Sequence, residues 1–275
     1  MRAPTALVLP GLAWLVVFML VPCGLILVYA FLERGTYGGI EWLFTFDNFV
    51  RGVEPLYVSI LIDSALIAGA ATVVALLVGY PAAWGIARAG PRWQTRLLVL
   101  VMLPFWSNYL IRTYAWIVLL NREGLISRGL VDLGVIDAPV SLLYTAPSVV
   151  VGLVYNYLPF VILSIYASLQ RLDPSVLEAS EDLGAPPWRT FVRVVLPLTM
   201  PGVAAGAVFV FVLSIGNFIT PDLLGGGRVV MVGNLIYDQF LSARDWPFGA
   251  ALSLALIAIM MGLLFAQAVA TNRGR

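Results

Sequence analysis

Six separate stretches of this chain, residues 7–31, 60–86, 97–120, 148–169, 200–220 and 249–270, are almost uninterruptedly apolar. Each reaches the ~20 residues a helix needs to cross the hydrocarbon core of a bilayer. No water-facing fold buries six such segments easily, and the composition agrees. Of 275 residues, 61% are hydrophobic and 11% charged, and mean hydropathy is +0.94. A soluble domain carries about a quarter charged residues. A soluble enzyme, a nucleic-acid binder and a disordered chain are excluded, and an all-α integral membrane protein with six transmembrane helices is predicted. The first stretch is too long for a signal peptide, has one Arg before it and no clear small-residue cleavage site. It reads as a retained anchor.

Six spans put both termini on one side, and arginine decides which. All 16 basic residues are Arg. With cytoplasmic termini, the inner segments hold 9 of them and the longer outer loops 6, with Arg112 inside a span. Acidic residues divide as 4 inside and 10 outside, with Asp63 in a span. Both termini are therefore predicted to be cytoplasmic. The absence of Lys and His, with Cys23 as the sole cysteine, removes a P-loop and any His/Cys metal site. Work driven by ATP would need the nucleotide on another chain.

The one long inner loop, residues 170–199, is the most informative segment. Asp173 is placed to cap a helix that Pro174 begins. Val176, Ser180 and Leu183 form a modest stripe at helical spacing, and Glu178, Glu181 and Asp182 load the polar side. Gly184 is placed to end that helix in a left-handed conformation. Pro186 and Pro187 start a second short helix, in which Arg189 and Arg193 share a face. Two short helices meeting at Gly184 are thus presented to the cytosol, either as a solvated linker or as a docking element.

Within the spans, Asp63 and Arg112 are expected at similar depth, where they either pair as an intramembrane ion pair or snorkel separately. Asn108, Asn156, Asn217 and Gln267 stand in apolar context, where an amide usually bonds another helix. Trp106, Tyr109, Tyr114, Trp116, Tyr155 and Tyr157 read mostly as interfacial belt or packing, with cation binding as the alternative. Asn217 and Phe218, one turn before Asp222, are candidates for the outer end of a substrate path, as are Trp116 and Tyr155. Asp222 otherwise reads as a loop or cap hydrogen-bonder. Gly225-Gly226-Gly227 reads as a flexible turn. The excess of outer acidic residues favours cations.

Glu178-Ala179-Ser180, then Gly184, then Leu196-Pro197 resembles the EAA signature of bacterial ABC-importer permeases, departing from it only in Ser180 for Ala. The stretch Ile215 to Gly249 is similar to the last outer loop of spermidine/putrescine-type permeases. So are Pro104-Phe105-Trp106 with Arg112 to Trp116, and Glu123 to Ile126 with Leu142 to Tyr144. Ser127 departs from that pattern, which favours Asn. The N-terminal helix and first outer loop resemble the first of the two permease subunits. This resemblance implies the type I ABC-importer permease fold: a leading helix and outer loop at 1–56, a permease domain at 57–268 and a cytoplasmic tail at 269–275. It implies that Glu178, Ala179, Ser180, Asp182, Gly184, Arg189, Leu196 and Pro197 belong to an ATPase-coupling loop. It further implies a bacterial inner-membrane location, no covalent chemistry and no cofactor in this chain, with ATP and Mg on a partner ATPase. The implied partners are a second permease subunit, two copies of the cytosolic ATP-binding subunit and an extracytoplasmic substrate-binding protein. Related permeases also serve ferric ion, thiamine, opines and amino-acid-like compounds. A membrane enzyme, with no His and no Lys, would have only a Ser with carboxylate partners, which is a poor case. A secondary transporter would show inverted repeats and more intramembrane carboxylates.

Overall fold

A computed structural model describes the backbone of residues 3–273 and the side chains of residues 9–269. The chain opens with α1 (Ala3–Leu15), a π-helical turn (Val16–Leu20) and α2 (Val21–Tyr29). An antiparallel hairpin follows, β1 (Leu32–Arg34) and β2 (Ile40–Phe44), pairing Arg34 with Ile40 and Glu33 with Glu41. Then come α3 (Asp47–Gly52), α4 (Pro55–Arg88) and α5 (Pro91–Met102). A 3-10 turn (Leu103–Trp106) leads to α6 (Tyr109–Leu120) and α7 (Leu125–Asp132). Next are α8 (Ala146–Leu169), α9 (Pro174–Asp182) and α10 (Pro187–Thr190). A π turn (Phe191–Val195) joins α10 to α11 (Leu196–Ile215). After a further π turn (Pro221–Gly225), α12 (Val232–Leu241) and α13 (Trp246–Arg273) complete the described chain.

Among the described residues, five helices are long and apolar enough to cross a membrane: Leu9–Tyr29, Pro55–Arg88, Ala146–Leu169, Pro187–Ile215 and Trp246–Val269. They match five of the six predicted spans. The sixth, predicted over residues 97–120, is a broken pair bent by 89° between α5 and α6. Pro104 supplies no N–H, the chain tightens into a 3-10 turn, and Ser107 adopts an extended conformation. Ser107 Oγ donates to the Pro104 carbonyl at 2.6 Å. Asn108 then restarts the helix, its side chain accepting from Leu110 N at 2.8 Å. Pro104 was legible as a kink, but the cap at Asn108 turns the kink into a break. Among the described residues the short hairpin is a two-stranded addition to an otherwise helical membrane fold.

The chain divides into two compact units. The first comprises residues 1–61 and 232–262. Its outer hairpin is fastened from below. Asn48 Nδ2, buried, donates to the Ala30 carbonyl at 3.1 Å and the Leu32 carbonyl at 2.8 Å. The Asp245 carboxylate, 1% exposed, binds Arg51 at 2.7 Å and lies 3.9 Å from Arg34. Arg34 also donates to the Ala243 carbonyl at 2.8 Å. The Arg51 guanidinium sits 3.8 Å over the Phe248 ring. Asp245 Oδ1 accepts from Phe248 N at 3.2 Å, capping the start of α13. Two arginines that read as ordinary outer-loop charges are structural pins.

The second unit comprises residues 62–231 and 263–275. Its centre is the antiparallel pair of α8 and α11. Small residues let the backbones approach. A Cβ on Gly202 would collide with Ser164 and Ser168, and one on Gly206 would press on the Val161 backbone. Gly79 of α4 abuts Val161 in the same way. Ala75, Tyr80, Ala83, Val161, Ile165, Val195 and Val210 form the core around this contact. Tyr80 and Thr199 share a hydrogen bond of 2.7 Å, removing two hydroxyls from the apolar interior. At the opposite end of α8, Thr145 and Ser148 form a capping box, and Ser148 Oγ also donates to the Leu224 carbonyl at 2.9 Å.

Candidate functional site

The inner loop folds as two helices, as its sequence implies. Asp173 caps α9, its Oδ1 accepting from Ser175 N at 3.0 Å. That hydrogen bond to the ionised form holds the Asp173 carboxyl below its ordinary pKa. Gly184 ends the helix with φ of 71°, and Ala185 N reaches back to the Ser180 carbonyl at 3.1 Å. Two details differ from the sequence reading. The buried side of α9 is Leu177 with Ser180, while Val176 is 39% and Leu183 88% exposed. Leu183 therefore joins Glu178, Ala179, Asp182 and Gly184 on the presented surface. The second helix is also not short, because α10 runs through its π turn into α11 as one 29-residue helix, Pro187–Ile215.

Ser180, the single departure from the Glu-Ala-Ala pattern, has a use. Its hydroxyl bonds Thr190 Oγ1 at 2.8 Å and ties α9 to α10. Arg189, exposed, lies 5.4 Å from the Trp188 ring centroid, and Trp188 is itself 64% exposed. Leu196 packs against the core and Pro197 is exposed. The loop thus presents acidic, apolar and cationic side chains together, the mixture a protein-docking surface uses.

A polar layer lies at the other end of α11. Asn217, just past the helix, donates to the hydroxyls of Tyr109 and Tyr157, each at 2.6 Å. Tyr109 bonds Thr220 Oγ1 at 2.5 Å, and the Thr220 N–H returns to Asn217 Oδ1 at 2.9 Å. One amide therefore knits α6, α8 and the turn before Pro221. Arg112, one turn after Tyr109, is buried at 8% exposure, with its guanidinium 5.1 Å from Phe105 and 5.8 Å from Tyr109. Phe160 contacts Phe105 edge-on at 5.3 Å and stacks on Phe209 at 6.0 Å, an aromatic tier adjoining the layer. Asn156 is 1% exposed, and neither its amide nitrogen nor its oxygen finds a partner; Ser214 Oγ is likewise unpaired. The glycine contacts between α8 and α11 set a register that brings these two residues to one level.

The candidate residues from sequence distribute unevenly. Asn217 is the hub, Phe218 neighbours it at 37% exposure, and Asp222 is exposed in the π turn. Trp116 and Tyr155 belong elsewhere: their rings meet edge-on at 5.5 Å in a separate apolar groove with Leu66, Ile67, Val150 and Val154. Tyr155 and Tyr157 are two residues apart on one helix, so they point to different sides. Asp63 and Arg112 do not pair. Asp63 is exposed, whereas Arg112 is buried against aromatic faces. Equal depth does not make equal azimuth on two helices. The glycine run is no slack turn either. Gly226 and Gly227 have φ of 55° and 74°, and a Cβ on Gly226 would enter the Tyr144 ring. Tyr109 and Tyr157 read from sequence mostly as belt or packing, because a membrane tyrosine reads first as an interfacial anchor, and Thr220 carries no signal of its own. Only their meeting with Asn217 marks them out.

The short helix α9 is tied to the start of a 29-residue helix whose far end adjoins the polar layer, and sequence comparison says what such a chain is. The family of binding-protein-dependent transport system inner membrane components matches residues 5–272. The chain belongs to that family. As a permease of this kind it is a multi-pass inner-membrane protein, the transmembrane component of an ABC importer rather than its catalytic subunit. Transporters of the family work with a binding protein and ATPase subunits. The permease is 43% identical to the spermidine/putrescine transport system permease protein PotB of Escherichia coli K12, over 91% of each chain. It is 42% identical to the PotB of Haemophilus influenzae, over 92% of this chain and 88% of that one. More distantly, it is 29% identical to the molybdenum transport system permease protein ModB of Mycobacterium bovis, over 74% of this chain and 75% of that one. Among solved structures, a bacterial alginate ABC transporter in complex with alginate pentasaccharide-bound periplasmic protein superposes with a TM-score of 0.77 at 18% identity. That match covers 98% of this permease and 93% of that chain. The likeness shows the fold.

Proposed function

We propose that this permease forms one half of the translocation path of an ATP-driven importer for a polyamine, spermidine or putrescine. The observation that carries this reading is the 43% identity to the E. coli spermidine/putrescine permease over 91% of both chains. The site is chemically apt. A polyamine alternates ammonium groups with methylene segments. Carbonyl, hydroxyl and aromatic-face acceptors suit the former, and apolar ring surface suits the latter. Asn217, Tyr109, Tyr157 and Thr220 supply the polar groups, and Phe105, Phe160 and Phe209 the rings. Asp222 and Phe218 stand at the outer approach.

In this scheme a second permease chain completes the path, with both termini cytoplasmic. Two copies of a cytosolic ATPase, carrying ATP and Mg, close beneath the pair. Glu178, Ala179, Asp182, Gly184 and Arg189 engage one ATPase, with Ser180 holding the helices together and Leu196 and Pro197 leading into the span. An extracytoplasmic binding protein delivers solute to the outer loops. This chain moves no electrons and breaks no bonds. It supplies a path whose two ends are not open together.

The test is ATPase activity of the complete complex in nanodiscs, with its binding protein added alone or loaded with spermidine or putrescine. Stimulation by the polyamine-loaded protein supports the proposal. Stimulation only by another loaded solute keeps the importer and removes the polyamine. In the same assay Glu178→Arg should lower transport more than ATP hydrolysis. Normal transport by that variant would remove the docking role from the loop.

A further inference from the structure

Arg112 stands out among the charged side chains because the proposed transport role leaves it unused. It is buried inside a span, and among the described residues no carboxylate pairs with it. Its Nε has no hydrogen-bond partner. The guanidinium is held instead against the faces of Phe105 and Tyr109. Tyr109 is itself fixed by Asn217 and Thr220, so Arg112 is anchored to the polar layer proposed above to line the path. A charge in a bilayer interior is costly unless it faces a cavity or a partner. The aromatic faces are its compensation, and the same Phe105 face is one that an ammonium group would use.

We infer that Arg112 is a fixed electrostatic barrier in the closed path, a specificity determinant that keeps sodium, potassium and protons from leaking through a permease built to pass an organic cation. A hydrogen-bonded layer of neutral groups does not by itself repel small cations. A permanent positive charge beside the constriction does, as pore arginines do in other channels. An organic dication or trication has something to offer that an inorganic ion lacks. Its methylene segments and ammonium groups compete for the Phe105 and Tyr109 faces and displace the guanidinium, so its passage relieves the barrier. The inference rests on the polar layer being the path.

The experiment uses the whole complex in proteoliposomes without ATP, reading passive potassium, proton and chloride flux. Arg112→Gln should raise potassium and proton leak by about a hundredfold, the Boltzmann weight of a unit charge ~6 Å away at an effective dielectric of about 20, with chloride flux not raised. Arg112→Lys should stay sealed at neutral pH and become leaky to cations as alkaline pH neutralises the lysine, while the native protein stays sealed across that range. Unchanged cation leak in Arg112→Gln, or cation and chloride leak rising together, overturns the barrier, the second because it reports only a loosened structure. Should Arg112→Gln fail to assemble, the Lys variant decides alone, and a leak that ignores pH overturns the proposal. Asn217→Ala is measured alongside. If it alters uptake while the Arg112 variants leave leak unchanged, only the barrier falls. If Asn217→Ala alters neither uptake nor leak, the reading of the path falls with it.

Discussion

Replacing Asn217 with Ala removes the one side chain that joins three segments of the polar layer. Three hydrogen bonds go: two donated to Tyr109 and Tyr157 at 2.6 Å, and one accepted from Thr220 N at 2.9 Å. Interhelical hydrogen bonds in membrane proteins average ~0.6 kcal/mol each, with a maximum near ~1.7. The two tyrosine bonds are short and shared by one amide, so the expected loss is about 2 kcal/mol for the set. The measurement is a double-mutant cycle of Asn217→Ala with Tyr157→Phe, followed by unfolding of the permease in mixed micelles and by uptake in proteoliposomes. The cycle should return a coupling of about 0.5–1.5 kcal/mol between the two positions. Uptake should fall more than stability does, because the layer is also the proposed path. A coupling indistinguishable from zero would refute the network. A normal uptake rate beside a measured coupling would leave the network structural and remove it from transport.

Asp245→Asn keeps the shape but discharges the pin beneath the hairpin. It should cost about 1–3 kcal/mol, less than a fully buried pair because Arg51 and Arg34 keep solvent access, and faster amide exchange over residues 32–44 checks it. Gly226→Ala combines a left-handed φ of 55° with a collision against the Tyr144 ring, and should lower the unfolding midpoint measurably, whereas Gly11→Ala, which meets nothing within 4 Å, should not. Asp173 has a lowered folded-state pKa, so its cap is complete at pH above the unfolded value of ~3.9 and fades as pH falls through the folded value. Protection of the α9 amides, taken relative to their intrinsic exchange rate at each pH, should therefore fall in acid for the native chain, while Asp173→Ala should show low protection at every pH.

The spans and the inner loop were legible because each is specified locally. Apolar runs of bilayer length, an Asp-Pro start and a helix-ending Gly need no distant residue to be read. The broken third span was half legible: Pro104 announces a kink, but the hydrogen bond from Leu110 N to Asn108 that makes it a break depends on side-chain geometry. The polar layer was barely legible, since Tyr109, Tyr157 and Asn217 are separated by 108 and 60 residues in their bonded pairs. Azimuth around a helix decided the rest. A sequence gives depth in the membrane from position along a span, and depth suggested that Asp63 and Arg112 meet. Their helices turn the two charges to different surroundings.

The unbroken run Pro187–Ile215 gives the molecule a mechanical ratio. Its 29 residues measure about 43 Å at 1.5 Å per residue, with the helix proposed to dock the ATPase at one end and Asn217 just beyond the other. Pivoted near its cytosolic end, a rod of that length sweeps its tip through about 4 Å for a tilt of ~5°, more than the 2.6 Å that separates Asn217 from Tyr109. A closure too small to unpack any helix is thus enough to part the layer. The tight seating of Gly202 and Gly206 against α8 carries Tyr157 along with Asn217, so the bond that such a tilt parts is the one to Tyr109 of α6.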